Sequence, residues 1–336
     1  MAARRALVIG GTGFLGRRIA GQLAARGDEV TVLSRHRQPA FEHLSVDRRD
    51  RQALRAALRG RAFDVVVDNI AYDGADVAGT LDALAGQAGH YLLTSSAAVY
   101  PDRYVRRPLR EAQADLSTRM PADAPDAFHP RLGQAYGNGK RDAERTLMAG
   151  GVPWTIVRAP VVVGADDRTL RAWWFVQRLL DGGPIMIPDW GPGRVFQVVW
   201  VDDLARAFGL AAASPAAYGR TYNVAQAELF TAETWLLALA AALGRPASAA
   251  HIPESEVAVI GLPGYAMPIA GRPFGHLLLD TAAIRCDLGF EPVDESIWLA
   301  HTAADCAADP PPEASPGYER RAAEVDAASR RGVTLL

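Results

Sequence analysis

The sequence predicts an α/β fold, a doubly wound parallel sheet with a smaller C-terminal lobe, and three observations lead there. Short β-branched runs alternate with longer Ala/Leu/Arg-rich stretches through the first half of the chain. Those runs are almost continuously apolar. A glycine-rich turn, Gly10-Gly11-Thr12-Gly13-Phe14-Leu15-Gly16, joins the first run to the first helical stretch. Alternation of this kind puts helices on both faces of a sheet, and strands covered on both faces lose the in-out pattern of half-buried ones.

The predicted strands fall at 6–10, 29–33, 43–46, 64–68, 91–94 and 154–158, with helices at 14–26, 51–58, 75–85 and 132–148. Residues 101–130 interrupt the rhythm with prolines and charges, which fits a lid over a site or a solvated insertion. Arg103, Arg106, Arg107 and Arg110 within it read either as contacts for an anionic substrate or as a solvated charge run. Beyond residue 160 the pattern loosens. Helices are expected at 170–180, from 202 and from 231, and strands at 185–187, 195–200 and 221–224. The expected division is a dinucleotide-binding domain at 1–160, a partly interleaved substrate lobe at 161–308, and a tail at 309–336 that reads as a surface extension. Trp173, Trp174, Trp190 and Trp200 are candidates for an apolar pocket wall or for plain core.

Composition narrows the function. The chain has 336 residues, 49% hydrophobic and 22% charged, enough for a large core. A formal charge of −2 leaves no surplus of cations to displace phosphate counterions, so neither nucleic acid nor a membrane surface is an expected partner. The first residues run straight into a strand with no signal-like segment, and no apolar run approaches the roughly 20 residues of a spanning helix, so a cytoplasmic location is expected. Cys286 and Cys306 lack metal-site spacing, and no metal is expected.

The glycine turn is the first chemical signal. Glycines permit a tight turn and close backbone approach to a pyrophosphate, and free N–H groups at the helix start attract its charge, which makes the fold Rossmann-type. An acidic residue at the end of the second strand would favour NAD; here the run ends Ser34-Arg35, which suits a 2′-phosphate, so NADP(H) is favoured over NAD(H). The alternative is that these arginines are ordinary surface charges. Asp47 and Arg48 follow the third strand, where an adenine would lie, and Asn69, Ile70 and Ala71 follow the fourth, near the nicotinamide-side ribose.

The second signal is Tyr136-Gly137-Asn138-Gly139-Lys140. Spacing of four residues on a helix sets phenol and ammonium on one face. A tyrosine with its ordinary pKa of about 10 exchanges protons poorly at neutral pH, and a neighbouring cation lowers that value. Among 36 Lys and Arg residues Lys140 is the sole lysine, at a position where a bulky planar guanidinium is no substitute. Two glycines inside this helix each cost about 1 kcal/mol relative to alanine, which implies close approach of cofactor or backbone. A hydroxyl to polarise the substrate oxygen is expected at the end of the fifth strand from Ser96, with Ser95 as the alternative.

Together, GGTGFLG, SSAAVY, YGNGK, Arg158-Ala159-Pro160, VWVDDLARA at 199–207 and DTAAIRCDLGFEP at 280–292 resemble the short-chain dehydrogenase/reductase superfamily, in its extended or atypical epimerase/dehydratase branch. The resemblance implies Ser96, Tyr136 and Lys140 as catalytic triad and Gly10, Gly13 and Gly16 as dinucleotide contacts. Thr94, Ala159 and Val161, at or just beyond strand ends, complete the expected cofactor set. A helix-paired homodimer is common in the superfamily. Two departures matter: Val161-Val162-Val163-Gly164 stands where nucleotide-sugar members carry Asn, an apolar residue, Tyr and Gly, and Val195-Phe196-Gln197-Val198 stands where they carry an arginine before an aspartate-aromatic pair, with Arg194 out of register. The chain is also similar to the atypical group that includes chloroplast stem-loop RNA-binding proteins, yet it keeps the triad that those often alter. The expected activity is NADPH-dependent ketone reduction, or its reverse, on a small molecule. The alternatives are a redox-neutral epimerase or dehydratase of a sugar derivative and a nonenzymatic dinucleotide sensor or RNA-binding module.

Overall fold

The computed structural model describes residues 3–37, 40–101, 107–123, 133–167, 169–189, 195–261 and 278–336. Arg103, Arg106, Trp190, Arg194 and the first residue of the helix expected at 132–148 lie outside them.

The first half builds β1 (Arg5–Ile9), α1 (Gly16–Ala25), β2 (Glu29–Ser34), β3 (Glu42–Ser45), α2 (Arg51–Leu58), β4 (Val65–Asp68), α3 (Gly74–Leu84), β5 (Tyr91–Ser96), α4 (Gln134–Met148) and β6 (Trp154–Ala159). The second half adds β7 (Val161–Val163), α5 (Arg171–Asp181), β8 (Ile185–Asp189), β9 (Val198–Trp200), α6 (Val201–Ala213), β10 (Arg220–Asn223), α7 (Ala232–Leu243), β11 (Ser248–Pro253), α8 (Glu254–Ile260), α9 (Ala282–Leu288), α10 (Glu295–Ala308), α11 (Arg321–Arg331) and β12 (Thr334–Leu335).

Seven strands form one sheet in the order β10-β6-β5-β4-β1-β2-β3, every neighbouring pair parallel. Period-two alternation sorts each strand between two cores. Ala6, Val8, Val65 and Val67 meet Ile19, Leu23, Leu204 and Phe208 from α1 and α6. Leu7, Ile9, Val66 and Leu93 meet Leu54, Val77, Ala143 and Leu147 from α2, α3 and α4. Burial on both faces explains why these runs read as unbroken apolar sequence. The order reverses between β1 and β4, the switch point at which a crevice opens at the carboxyl ends of strands.

The second lobe has its own core. Trp174, Phe175, Trp235 and Trp298 are buried there with Phe196 and Phe230, and Trp173 joins them, so Trp173 and Trp174 belong to the core. Trp200 is half-buried and stacks on His301.

One reading of the sequence needs correction. The tail is no surface extension: β11 pairs with β8 and β12, and α11 packs across them. Its Glu324 meets Arg178 of α5 in a pair that is 0% exposed on both sides, with Nη2–Oε1 2.6 Å and Nε–Oε2 2.8 Å. The tail has few large apolar residues to advertise such docking: Ala327 and Ala328 pack against Met186, Ala250 and Ile252, and ion pairs supply the rest of the hold. Residues 107–123 of the 101–130 insertion are mostly exposed, as a solvated segment is, yet they are tied to the body at several points. Leu109 exchanges backbone hydrogen bonds with Leu278 and Asp280, Asn138 pairs with both backbone groups of Met120, and fully buried Arg141 donates to the Thr118 and Val99 carbonyls. Arg107 and Arg110 are exposed, and Arg110 pairs with Asp280.

Candidate active site

The β1–α1 turn is shaped by its glycines. Gly10 has φ +80°, and a Cβ there would fall 2.6 Å from the Ile70 side chain, across the switch point from β4. A Cβ at Gly16 would overlap the Gly10 carbonyl oxygen, so the helix start presses on the strand end. Gly13 faces outward, where an added Cβ would make only ordinary contact. Helix α1 begins after Leu15 with no side-chain cap, which leaves its first N–H groups to be met by something other than a capping side chain. Gly11 is buried and Thr12 and Phe14 are half-buried along the same turn. This cradle fits a dinucleotide pyrophosphate: backbone can approach on the Gly13 side, and the helix terminus attracts its charge.

At the end of β2, Arg35 is exposed, but Ser34 is 7% exposed and turned inward. Its hydroxyl donates to the His36 carbonyl at 2.7 Å and lies 3.0 Å from His43 Nε2. A hydroxyl has one proton to give, so Ser34 as arranged has none for a phosphate. Asp47 is exposed after β3 and accepts a hydrogen bond from the Arg49 backbone.

Arg48 requires the clearest correction. Its guanidinium turns away from the adenine side into the protein, donating to Asp68 Oδ1 (2.5 Å), the Asp76 carbonyl (2.6 Å) and Thr80 (2.8 Å). Asp68 ends β4 fully buried and also accepts from Tyr91 and from the Ile70 backbone. A buried carboxylate of this kind demands a cation, and Arg48 is that cation. The pair staples the loop carrying Asn69, Ile70 and Ala71; Asn69 in turn accepts from the Thr94 hydroxyl at 3.1 Å.

Lys140, 4% exposed, reaches between two strand ends and donates to the Ala71 carbonyl at 2.7 Å and the Thr94 carbonyl at 2.8 Å. An ammonium has three N–H bonds, which leaves a third for a ligand hydroxyl. Burial pushes the ammonium down to about 8, opposed by the attraction of Asp68 and Glu144. Tyr136 is half-buried, one turn earlier, with its ring centroid 5.7 Å from Lys140 Nζ. The glycines between them admit backbone. A Cβ at Gly137 would lie 2.6 Å from the Ala98 carbonyl oxygen, and one at Gly139 would overlap the Tyr72 carbonyl.

Ser96 ends β5 beside Ala159 of β6, and its Oγ accepts the Ala98 N–H at 3.1 Å, which keeps its own proton for another acceptor. Ser95 shares its face of β5 with Tyr91 and Leu93, and it donates to the buried Glu144 carboxylate that also holds Arg158. Ser95 is thereby committed to the interior. Val161, 2% exposed, follows Ala159 and Pro160 into β7. Sequence reasoning passed over Tyr72, which directly follows Ala71 and meets the Tyr136 ring edge-on at 6.1 Å. Its place right after the stretch expected to lie beside a nicotinamide was the available signal.

Among the described residues no helix is long and apolar enough to cross a membrane. In overall fold the chain is similar to UDP-glucose 4-epimerase from Thermus thermophilus, solved in complex with NAD, at 22% identity, TM-score 0.69, with 91% of this chain and 99% of that one covered. It is similar to a putative epimerase from Burkholderia cenocepacia at 21% identity, TM-score 0.71, covering 91% and 98%. Among curated proteins it is 28% identical over 261 residues to the chloroplast stem-loop binding protein of 41 kDa b of Arabidopsis thaliana, a match that spans 72% of this chain and 64% of that protein's length. The model of the NAD dependent epimerase/dehydratase family matches residues 6–225. With a Rossmann-type sheet and that match over about two thirds of its length, the chain belongs to the NAD dependent epimerase/dehydratase family.

Proposed function

We propose that this protein interconverts a secondary alcohol and a ketone on a small molecule, with Tyr136 exchanging the proton. A bound nicotinamide dinucleotide supplies the hydride acceptor or donor. The observation that carries the reading is Lys140: the sole lysine of the chain is buried one turn from Tyr136, anchored to the ends of β4 and β5 by two carbonyls. A cation held there favours the phenolate, so Tyr136 can give and take a proton near neutral pH. Ser96, with its hydroxyl proton available, orients the substrate oxygen. Asn69, Ile70, Ala71, Thr94, Ala159 and Val161 form the walls on the nicotinamide side, and Gly10 to Gly16 take the pyrophosphate.

We favour NADP(H) over NAD(H) because β2 ends without a carboxylate and leaves Arg35 exposed to meet a 2′-phosphate. Titration of protein fluorescence with NADPH and NADH tests this, and tighter NADH binding overturns it. Tyr136→Phe should abolish turnover and spare dinucleotide affinity; unchanged turnover removes the proton carrier from the reading.

Net reduction is the first reading, and the redox-neutral epimerase or dehydratase of a sugar derivative is the second. The second is favoured by full-length likeness to an epimerase solved with NAD. Against a nucleotide-sugar substrate stands Val161, which is buried and has no polar group to offer one. Nucleotide released from the purified protein separates the two: a tightly retained oxidised cofactor supports an internal redox cycle, and ready exchange supports a reductase.

A further inference from the structure

We propose that Tyr72 is a positioning residue of the active centre, whose ring closes an aromatic bracket with Tyr136 around the Lys140 ammonium; the inference rests on the reading of Lys140 as the functional cation. Lys140 Nζ lies 5.6 Å from the Tyr72 ring centroid and 5.7 Å from that of Tyr136. Both distances fall within the range in which a ring quadrupole attracts a cation. The two rings meet each other at 62°, an edge-on arrangement.

Tyr72 is pinned as no ordinary surface tyrosine needs to be. Its backbone N–H donates to Asp76 Oδ2 at 2.8 Å. Its carbonyl fills the space that a side chain at Gly139 would take. The preceding carbonyl, that of Ala71, is the one that Lys140 itself grips. Behind the loop, Arg48 ties Asp68 at one end to the Asp76 carbonyl at the other. The residue nevertheless remains 40% exposed. The geometry fixes the backbone under Tyr72 and sets its ring against Lys140 and Tyr136.

The bracket has a physical purpose. The charged groups acting on Lys140 are Asp68 on β4, Asp76 on α3 and Glu144 on α4, which attract it, and Arg48, which repels it. Bringing a further carboxylate against the ammonium would form an ion pair and repel an anionic transition state. An aromatic face favours the charged ammonium without adding a full negative charge.

The sole lysine makes the test direct. Protein carrying isotope-labelled lysine gives one side-chain ammonium signal by NMR, and its titration reports Lys140 without any substrate. Tyr72→Phe keeps the ring and should leave the midpoint where it is in the native protein. Tyr72→Leu keeps bulk, removes the π face, and should lower the midpoint by roughly half a pH unit, about a threefold loss of proton affinity. Tyr72→Trp, with a stronger π face, should hold or raise it, and serves if the leucine variant does not fold. A leucine variant with an unchanged or raised midpoint, a phenylalanine variant that moves as far as leucine, or a tryptophan variant that falls overturns the bracket. Failure of the catalytic reading appears elsewhere, as undiminished turnover in Tyr136→Phe, so the two failures are distinguishable.

Discussion

The α-carbon of Gly139 faces the carbonyl of Tyr72 with no room for a methyl group between helix and loop. Gly137 has the same relation to the Ala98 carbonyl on the neighbouring turn. Helix α4 is thus seated on the loops that follow β4 and β5, which fixes the height at which Tyr136 and Lys140 stand over the crevice.

Gly139→Ala sets two effects against each other. Helix propensity favours alanine by about 1 kcal/mol, while forcing a methyl group into closed backbone contact costs about 1–3 kcal/mol. The expected result is net destabilisation in denaturant unfolding, with turnover falling further than stability because the helix shifts as a body. A stabilised variant with intact turnover contradicts the close seating.

Arg35→Ala should weaken NADPH binding by at least tenfold, about 1.4 kcal/mol, and leave NADH affinity unchanged. Calorimetry with both nucleotides decides it. Equal losses for the two would assign Arg35 to something other than the 2′-phosphate.

Arg178→Ala removes the bidentate partner of the buried Glu324 carboxylate, leaving it only the longer contact with Arg321 at 3.4 Å, and should destabilise the protein by about 3 kcal/mol. Replacing both, Arg178→Met with Glu324→Leu, should recover much of that loss, since burying an ion pair gains little over an apolar pair of similar bulk. Chemical unfolding of the single and double variants measures both. A single variant within about 0.5 kcal/mol of the native protein, the ordinary range for surface changes, would mean that the Arg178–Glu324 pair does not hold the tail.

His90 should make stability depend on acid. It is buried, its Nε2–H donates to Thr155 Oγ1 at 2.8 Å because that hydroxyl gives its proton to the Ala217 carbonyl, and Nδ1 is buried without a hydrogen-bond partner. Burial, then the nearby Arg4 charge, lowers its pKa from 6.5 to about 4. The neutral ring is the folded form, so its contribution is complete above about pH 6.5 and is lost as pH falls through about 4. His90→Gln should flatten that part of the pH–stability curve by on the order of 3 kcal/mol; a curve parallel to the native one refutes the assignment.

Much of the site was legible because its rules are local. Gly10 to Gly16 announce a strand-turn-helix through backbone freedom, and Tyr136 and Lys140 share a helix face by spacing alone. The short strands β7 and β11 were not legible, since three to six residues beside prolines carry little periodicity. Ser95 and Ser96 could be ranked but not separated: only the buried Glu144, far along the chain, shows where Ser95 points.

The sequence by itself determined the alternating architecture, the glycine-rich turn and the phenol-ammonium pair, because each depends on neighbours within a few residues. The tertiary structure alone decided that Arg48 is a buried staple, that Ser34 faces inward, that the tryptophans at 173 and 174 are core, that the tail is docked and that Tyr72 stands at Lys140. Except for Ser34, whose partners are His36 and His43, a side chain's direction is set here by partners far along the chain, up to 146 residues away for Arg178 and Glu324. Burial of a charge or hydroxyl requires that distant partner, and no local pattern names it.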